Sequence, residues 1–262
     1  MRGIILAGGS GSRLNPMTKY TSKQLLPIYD KPLIYYPLTT LILAGITEIL
    51  VITTPSHQED FVSLLGDGSH WGISISYAIQ SSPEGLPHGL ILGESFLNGD
   101  SCAFILGDNL FYGSGLGRTL KEFVNKNGAH IFAHKVSDPE RFGVVELSAD
   151  GKIVSIEEKP VNPKSQLAIT GLYFFDGNAP QIAKSLKKSK RGEYEMVDLL
   201  DVYFKTDQLS VKVLPRGTAW LDTGTFQSLN DAANFVRIIQ ENQGFKVGDP
   251  SEASQIVRGR NR

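Results

Sequence analysis

Directly after the apolar run Ile4-Ile5-Leu6-Ala7 the chain reads Gly8-Gly9-Ser10-Gly11-Ser12-Arg13-Leu14, and Lys19 and Lys23 follow. Glycines let main-chain N–H groups approach an anion in conformations that a Cβ would forbid. Basic side chains at the rim add charge for a phosphate. An ordinary glycine turn would not bring Arg13 and Lys23 with it, so the segment reads as a cradle for a nucleoside triphosphate. Two other phosphate loops fit poorly. The dinucleotide fingerprint needs a third glycine, but here the chain continues to Leu14 and Pro16. The Walker loop needs Gly-Lys followed by Ser or Thr, a triplet absent from the chain.

Acidic residues supply the second chemistry. Asp108 closes the apolar run Ile105-Leu106-Gly107, and Asp222 stands in Trp220-Leu221-Asp222-Thr223-Gly224. Each alone reads equally well as a turn or capping carboxylate. Together with the glycine turn they suggest a shared Mg2+, an ion that takes one or two carboxylates plus phosphate oxygens. Glu157-Glu158-Lys159-Pro160 ends another apolar run, ahead of Thr170-Gly171-Leu172-Tyr173. A carboxylate accepting from sugar hydroxyls, beside a lysine for a sugar phosphate, would make a coherent pocket; a solvated hairpin end is the plainer reading. Gln80 precedes Ser81-Ser82-Pro83-Glu84-Gly85. Its amide offers a donor and an acceptor to a pyrimidine edge, although a polar strand end would look the same. His88 reads as a capping or surface residue, and Cys102 as a core residue.

The elements that must position these residues alternate in the first half. Arg2–Leu6, Glu48–Thr53, Ile73–Ile79 and Cys102–Leu106 read as strands, with helical spacing over Pro32–Ala44, Ser56–Leu65 and Pro87–Phe96. This alternation predicts an α/β fold with a doubly wound, mostly parallel sheet, whose ligands sit beyond the carboxyl ends of strands. The glycine turn and Gly107-Asp108 both fall on that edge. After about residue 128 the pattern turns to strands, over Phe142–Leu147, Lys152–Glu157 and Ala168–Phe175, with a hairpin turn at Ala149-Asp150-Gly151. Helices follow over Ala179–Leu186 and Glu195–Lys205, then a strand over Leu209–Leu214 and a helix over Phe226–Gln240. The expected organisation is one domain over 1–245, made of a nucleotide-binding half (1–128), a smaller β-rich sugar-binding part (129–225) and a closing helix (226–245). Residues 246–262 read as a polar, partly disordered tail.

Composition narrows the function. The 262 residues are 41% hydrophobic and 20% charged, with a formal net charge of −1, which gives no footprint for nucleic acid. The basic stretch from Lys184 to Arg191 reads as a solvated helix end before Gly192. No apolar run approaches the ~20 residues of a membrane span, and the N-terminus is no signal peptide. One cysteine excludes an internal disulfide and suits the cytoplasm.

Eight segments in order resemble the sugar-1-phosphate nucleotidylyltransferases, from Met1 to about Pro250. They are Leu6 to Leu14, Lys23-Gln24-Leu25-Leu26-Pro27, Asp30 to Pro37, Gly107-Asp108-Asn109, Asp138 to Gly143, Glu157 to Pro160, Arg191-Gly192-Glu193 and Trp220 to Thr225. The resemblance implies a Rossmann-like nucleotidyltransferase fold of GT-A type and a Mg2+-dependent enzyme. In it a phosphate oxygen of glucose 1-phosphate attacks the α-phosphorus of dTTP in line, giving dTDP-glucose and pyrophosphate. That reaction would open a dTDP-deoxysugar pathway such as that of dTDP-rhamnose. Alternatives are UTP or another sugar 1-phosphate, and a non-catalytic nucleotide-sugar-binding homologue. By position, Arg13, Lys23 and Asp108 would be catalytic. Leu6, Gly8, Gly9, Gly11, Ser12, Arg13, Gln24, Gln80, Gly85 and Asp108 would hold the nucleotide. Gly143, Glu158, Lys159 and Gly171 would hold the sugar phosphate, and Asp108 and Asp222 the metal. The family also implies a dimer or tetramer. Ser12, Phe142 and Pro87-His88 depart from its usual threonine, tyrosine and Ala-Gln, the last beside the base-reading residues. The chain ends soon after Phe245 to Pro250, where longer relatives add a helical segment that helps form an allosteric feedback site.

Overall fold

The computed structural model describes residues 1–9 and 11–259. The expectation for Ser10, and the end of the tail at residues 260–262, lie outside them. The chain falls into two compact units whose borders differ from the expected halves. One holds Arg2–Pro83, Ile105–Glu122 and the chain from Gly217 onward; the other holds Glu84–Phe104 and Phe123–Arg216.

In the first of these units the strand Arg2–Ala7 pairs in parallel with Glu48–Thr53, which pairs in parallel with Ser74–Ile79. In the first two the Ile, Leu and Val side chains are buried almost continuously, as strands covered on both faces require, whereas Ser74–Ile79 buries only Ile75. Register decides what happens at the edge. Ala7 lies opposite Thr53 and Thr53 opposite Ile79, so the three strands finish level. Gly8 and Gln80 therefore emerge side by side. The N–H of Gly107 donates to the carbonyl of Leu6 at 2.9 Å, which adds the turn of Gly107-Asp108 to the same edge.

Two short strands extend this unit. Asn109–Tyr112 runs antiparallel to Ala219–Asp222, with Asn109 opposite Asp222 and Phe111 opposite Trp220. The helix Phe226–Gln243 follows at once, opened by a reciprocal cap between Thr225 and Ser228 and closed at Gly244 in the left-handed region. Its Leu229, Ala232 and Val236 join Leu14, Ile28, Leu33, Tyr36 and Leu110 in one core. That core anchors the segment after the glycine turn through Leu14.

Several helices begin or break differently from expectation. Lys31–Pro32 forms a two-residue strand and the helix starts only at Tyr35. Ser56 is not a cap; the helix runs Gln58–Leu65 from His57. The expected tail is a correction of another kind. Pro250–Gly259 is a helix that packs against Tyr35–Leu43. Its buried residues, Pro250, Ala253 and Ser254, keep helical spacing but are too small to register as a hydrophobic stripe. Trp71 Nε1 donates to Ser251 Oγ at 3.1 Å and Ser254 Oγ donates to the Trp71 carbonyl at 2.7 Å.

The second unit is richer in antiparallel pairs. Gly143–Leu147 pairs with Ile153–Glu158, and Leu167–Phe175 with Ala129–Lys135, while Leu209–Val213 pairs in parallel with Ala129–Lys135. Gly151 turns the expected hairpin at φ 81°. The pairing of Leu167–Phe175 slips between Ile169 and Tyr173, placing Thr170, Gly171 and Leu172 in an irregularity. Such bulges re-aim side chains next to functional sites. Its helices Ala179–Ser185 and Met196–Lys205 match expectation within a residue, whereas Pro87–Phe96 splits into His88–Leu92 and Glu94–Leu97 at Gly93. Among the described residues no helix is long and apolar enough to cross a membrane. Cys102 is fully buried, and burial pushes its thiol far above the usual range.

Candidate active site

The glycine turn closes on itself. Gly11, at φ 56°, opens the single helical turn Ser12–Leu14, and Thr18 Oγ1 donates to its carbonyl at 2.8 Å. Gly9 has φ 108°, a conformation that L side chains avoid. A cavity of about 240 Å3 opens beside the turn. Gly8, Gly9, Gly11, Ser12, Arg13, Lys23, Gln24 and Asp108 all line it, together with Gly224. A larger cavity of about 360 Å3 in the same unit, between Phe111, Tyr112, Phe245 and Val247, contains none of the expected residues.

Lys23 is buried, which is costly for a cation unless it is paired. Its Nζ donates to Asp108 Oδ2 at 2.6 Å. The other oxygen of Asp108 accepts from Asn109 Nδ2 at 2.9 Å, and Asn109 Oδ1 accepts from Trp220 Nε1 at 2.6 Å. Thr223 Oγ1 donates to the Asp108 carbonyl at 2.9 Å. The ladder of Asn109–Tyr112 with Ala219–Asp222 thus brings Asp222 next to Asp108. Asp222 Oδ2 and Arg13 Nη1 lie 3.1 and 3.5 Å from the point where a Cβ on Gly224 would sit. Two cations and two carboxylates therefore gather at the glycine turn.

Two expected residues stand off the cavity wall. Leu6 is buried, and its carbonyl is taken by Gly107. Gln80 is buried behind Gly8: a Cβ on Gly8 would fall 2.6 Å from Gln80 Oε1. Only glycine leaves that amide where it is.

In the second unit Glu158 lies opposite Gly143 across a strand pair. Lys159 Nζ reaches Glu158 Oε1 at 3.3 Å, and about half of the Lys159 side chain is open to solvent. Lys159 has φ 43°, a left-handed conformation that costs a non-glycine residue roughly 1–2 kcal/mol. Backbone held this way recurs where a side chain must be aimed. Buried Tyr173 stands near Glu158, and its hydroxyl is pushed well up, by burial first and by the Glu158 charge second. Thr170 is buried in the bulge, and its Oγ1 is without a partner among the described residues. Gly171 sits beside it.

Arg191 and Glu195 join this cluster. Arg191 Nη2 donates to Glu195 Oε2 at 2.7 Å, a bond that raises the guanidinium's affinity for its proton, with Glu158 contributing. Burial would raise the Glu195 carboxyl, but hydrogen bonds from Ser189 and Arg191 and the charge of Lys159 hold it below the usual range. Gly85, also in this unit, has φ 95° and bridges in parallel to Tyr194. The basic stretch Lys184–Arg191 is exposed as expected but runs on past the helix, which stops at Ser185, and Lys184, Lys188 and Arg191 each pair with a glutamate.

The sequence profile described as nucleotidyl transferase matches residues 2–238. The chain belongs to the nucleotidyl transferase family. A glucose-1-phosphate thymidylyltransferase of Mycolicibacterium smegmatis is 59% identical over 96% of this chain and 88% of its own. One from Neisseria meningitidis is 56% identical over 94% of this chain and 86% of its own. A Bacillus anthracis protein described as a glucose-1-phosphate thymidylyltransferase, solved in complex with a sucrose, superposes with a TM-score of 0.84 at 41% identity, covering 90% of this chain and 95% of that one. A UDP-glucose pyrophosphorylase complexed with UDP-glucose shares the fold, with a TM-score of 0.78 at 23% identity over 90% of this chain and 98% of that one. Within this nucleotidyl transferase, Asn109, Trp220, Thr223, Arg191 and Glu195 are the site neighbours to which sequence reasoning gave no role. All five stand in or next to the eight segments, and that adjacency was the available signal.

Proposed function

We propose that this chain condenses dTTP with glucose 1-phosphate into dTDP-glucose and pyrophosphate. Relatives that share more than half of its residues over nearly its whole length carry that activity in their names. The observation that carries the reading is the buried Lys23–Asp108 pair on the wall of a glycine-lined cavity with Arg13 at its rim.

Main-chain amides of Gly8, Gly9 and Gly11 receive the triphosphate, as glycine turns at strand ends do. Arg13 and Lys23 neutralise it and the departing pyrophosphate. Gln80, with Gly8 and Gly85, reads the base, and Ser12, Gln24 and Leu6 support the nucleotide. In the second unit Lys159 takes the sugar phosphate while Glu158, Gly143 and Gly171 shape the room for the sugar. A phosphate oxygen of glucose 1-phosphate forms the new bond to the α-phosphorus, and the bond from that phosphorus to the oxygen bridging to the β-phosphate breaks. The attacking oxygen is already anionic, so no base is required, and catalysis consists of placement and charge neutralisation.

Asp108 and Asp222 suit Mg2+. Among the described residues no cluster of three or more acidic, His or Cys ligands exists, and a nucleotide-bound Mg2+ needs only one or two carboxylates with phosphate oxygens. The ammonium on Asp108 Oδ2 shows that this carboxylate already faces positive charge. When bound, the ion would offset charge accumulating on the reacting phosphates. The same proposal makes the protein a cytoplasmic homo-oligomer, dimer or tetramer, to be sized by light scattering.

Pyrophosphate release from dTTP and glucose 1-phosphate, with and without Mg2+, tests the reading. Turnover should require both substrates and the ion. A preference for UTP over dTTP, or equal rates with other sugar 1-phosphates, would redirect it to the same chemistry on another pair. No turnover with any pair would leave a nucleotide-sugar-binding homologue.

A further inference from the structure

Glu84 holds more partners than a carboxylate in a strand-to-helix loop needs. Lys188 Nζ donates to its Oε2 at 2.5 Å, and His88 Nε2 stands 4.0 Å from its Oε1. Its carbonyl accepts from the N–H of Tyr194 at 2.8 Å, one residue before the parallel bridge of Gly85 to Tyr194. Lys188 lies over the Tyr194 ring, 5.2 Å from its centroid, and the His88 ring is 6.5 Å from the same ring. The chain from Lys188 to Tyr194 is thereby strapped onto the segment from Glu84 to His88 by one ion pair, one main-chain bond and one ring contact, while Lys188 over Tyr194 braces the strap itself.

The strap acts where no side chain could fit. A Cβ on Gly85 would fall 2.1 Å from the Tyr194 carbonyl, so main chain meets main chain there. The conformation of Gly85 is consequently set by where Tyr194 sits, and Tyr194 is held by Glu84 and Lys188. Bonding to Glu84 also strengthens the hold of Lys188 on its proton.

We propose that Glu84 and Lys188, with His88 and Tyr194 packed against them, are positioning residues that fix the main chain of Gly85 for the pyrimidine base and so set the affinity for dTTP. This rests on the reading that Gln80 and Gly85 meet the base. None of the four lines the glycine-turn cavity, so their effect should fall on nucleotide binding and spare the chemical step. The Pro87-His88 departure noted above lies inside this network.

Steady-state kinetics of Lys188→Met and Glu84→Gln would test it, with each substrate varied in turn. Both variants should raise KM for dTTP about fivefold, the scale on which a partly exposed ion pair acts. The kcat and the KM for glucose 1-phosphate should stay at wild-type values. Lys188→Arg should restore the dTTP KM, as should the exchange Glu84→Lys with Lys188→Glu. A dTTP KM unchanged in both single variants would overturn the proposal. Equal increases in both substrates' KM would overturn it too, because the pair would then merely stabilise the unit. Gln80→Ala separates the layers. If it raises the dTTP KM while Lys188→Met and Glu84→Gln do not, the strap alone falls. If Gln80→Ala also leaves that KM unchanged, the base assignment falls and the strap's role with it.

Discussion

Lys23 and Asp108, 85 residues apart, meet in a 2.6 Å ion pair on the wall of the glycine-lined cavity. Desolvating such a pair costs more than its attraction returns unless further hydrogen bonds satisfy it. Asp108 has one such bond, from Asn109; Lys23 faces the cavity. An arrangement so poor as a stabiliser reads as a store of charge for an anionic ligand. On the proposed function, bound nucleotide would offer the lysine phosphate oxygens and leave the carboxylate available to a metal.

Asp108→Asn keeps the shape and the Asn109 contact but removes the negative charge. Turnover should fall roughly 100-fold or more, the scale of losing one electrostatic element of a transition-state site. The thermal midpoint should fall as well while the variant stays folded, because the Lys23 side chain, only 9% exposed, loses its anionic partner and keeps at most a neutral amide acceptor. Pyrophosphate release and a melting curve on the same sample decide it. Near-normal turnover would remove Asp108 from the chemistry.

The parts of this site that sequence made legible are those written in local pattern. The parallel strands, the glycine turn and the hairpin at Gly151 announce themselves through apolar runs and turn residues. The convergence of Asp108 with Asp222 was inferred only from their similar surroundings. Its cause, the ladder of Asn109–Tyr112 with Ala219–Asp222, was not seen. Each strand has four residues, and their pairing is a long-range choice made by Trp220 reaching Asn109. The Pro250–Gly259 helix escaped for a different reason: small residues carry its buried face. Arg191 escaped because its partner Glu195 opens the next helix, while Glu158 and Lys159 close a strand far earlier in the chain.

Gly8→Ala tests the edge where three strands end level. The added methyl meets Gln80 Oε1 at 2.6 Å, so the amide must swing away. Gly8 is not among the glycines at positive φ, so its backbone accepts alanine and the fold should lose no more than about 1 kcal/mol. Affinity for dTTP should drop roughly tenfold, the loss expected when a site's polar group is misaligned. Binding of dTTP followed by calorimetry separates this from instability. An unchanged affinity would show that Gln80 does not face the base.

Lys159 permits a paired comparison. Lys159→Ala and Lys159→Gly both delete the ammonium, and both should raise the KM for glucose 1-phosphate by about tenfold or more while leaving that for dTTP alone. Only glycine also relieves the left-handed backbone at φ 43°. The glycine variant should therefore be more stable than the alanine variant by about 1 kcal/mol. Chemical denaturation reads the difference. Equal stabilities would mean that the backbone at this position carries no strain.

His130 predicts how stability depends on pH in the second unit. Its side chain is buried, with Nδ1 2.5 Å from Ser210 Oγ. Burial first, and the Lys126 charge second, push the imidazole below its ordinary value of 6.5, against the opposing pull of the Asn127 backbone and Asp176. In the unfolded chain the ring takes up a proton near that ordinary value; in the folded protein it resists until the pH is lower. Between those two values the unfolded state binds more protons, so stability falls as pH drops below about 6.5 and is unaffected above it. His130→Asn removes the titration while keeping a polar group near Ser210. Between pH 7.5 and 5.5 the wild type should lose more in thermal midpoint than this variant. Parallel losses in the two proteins would assign the acid sensitivity to other groups.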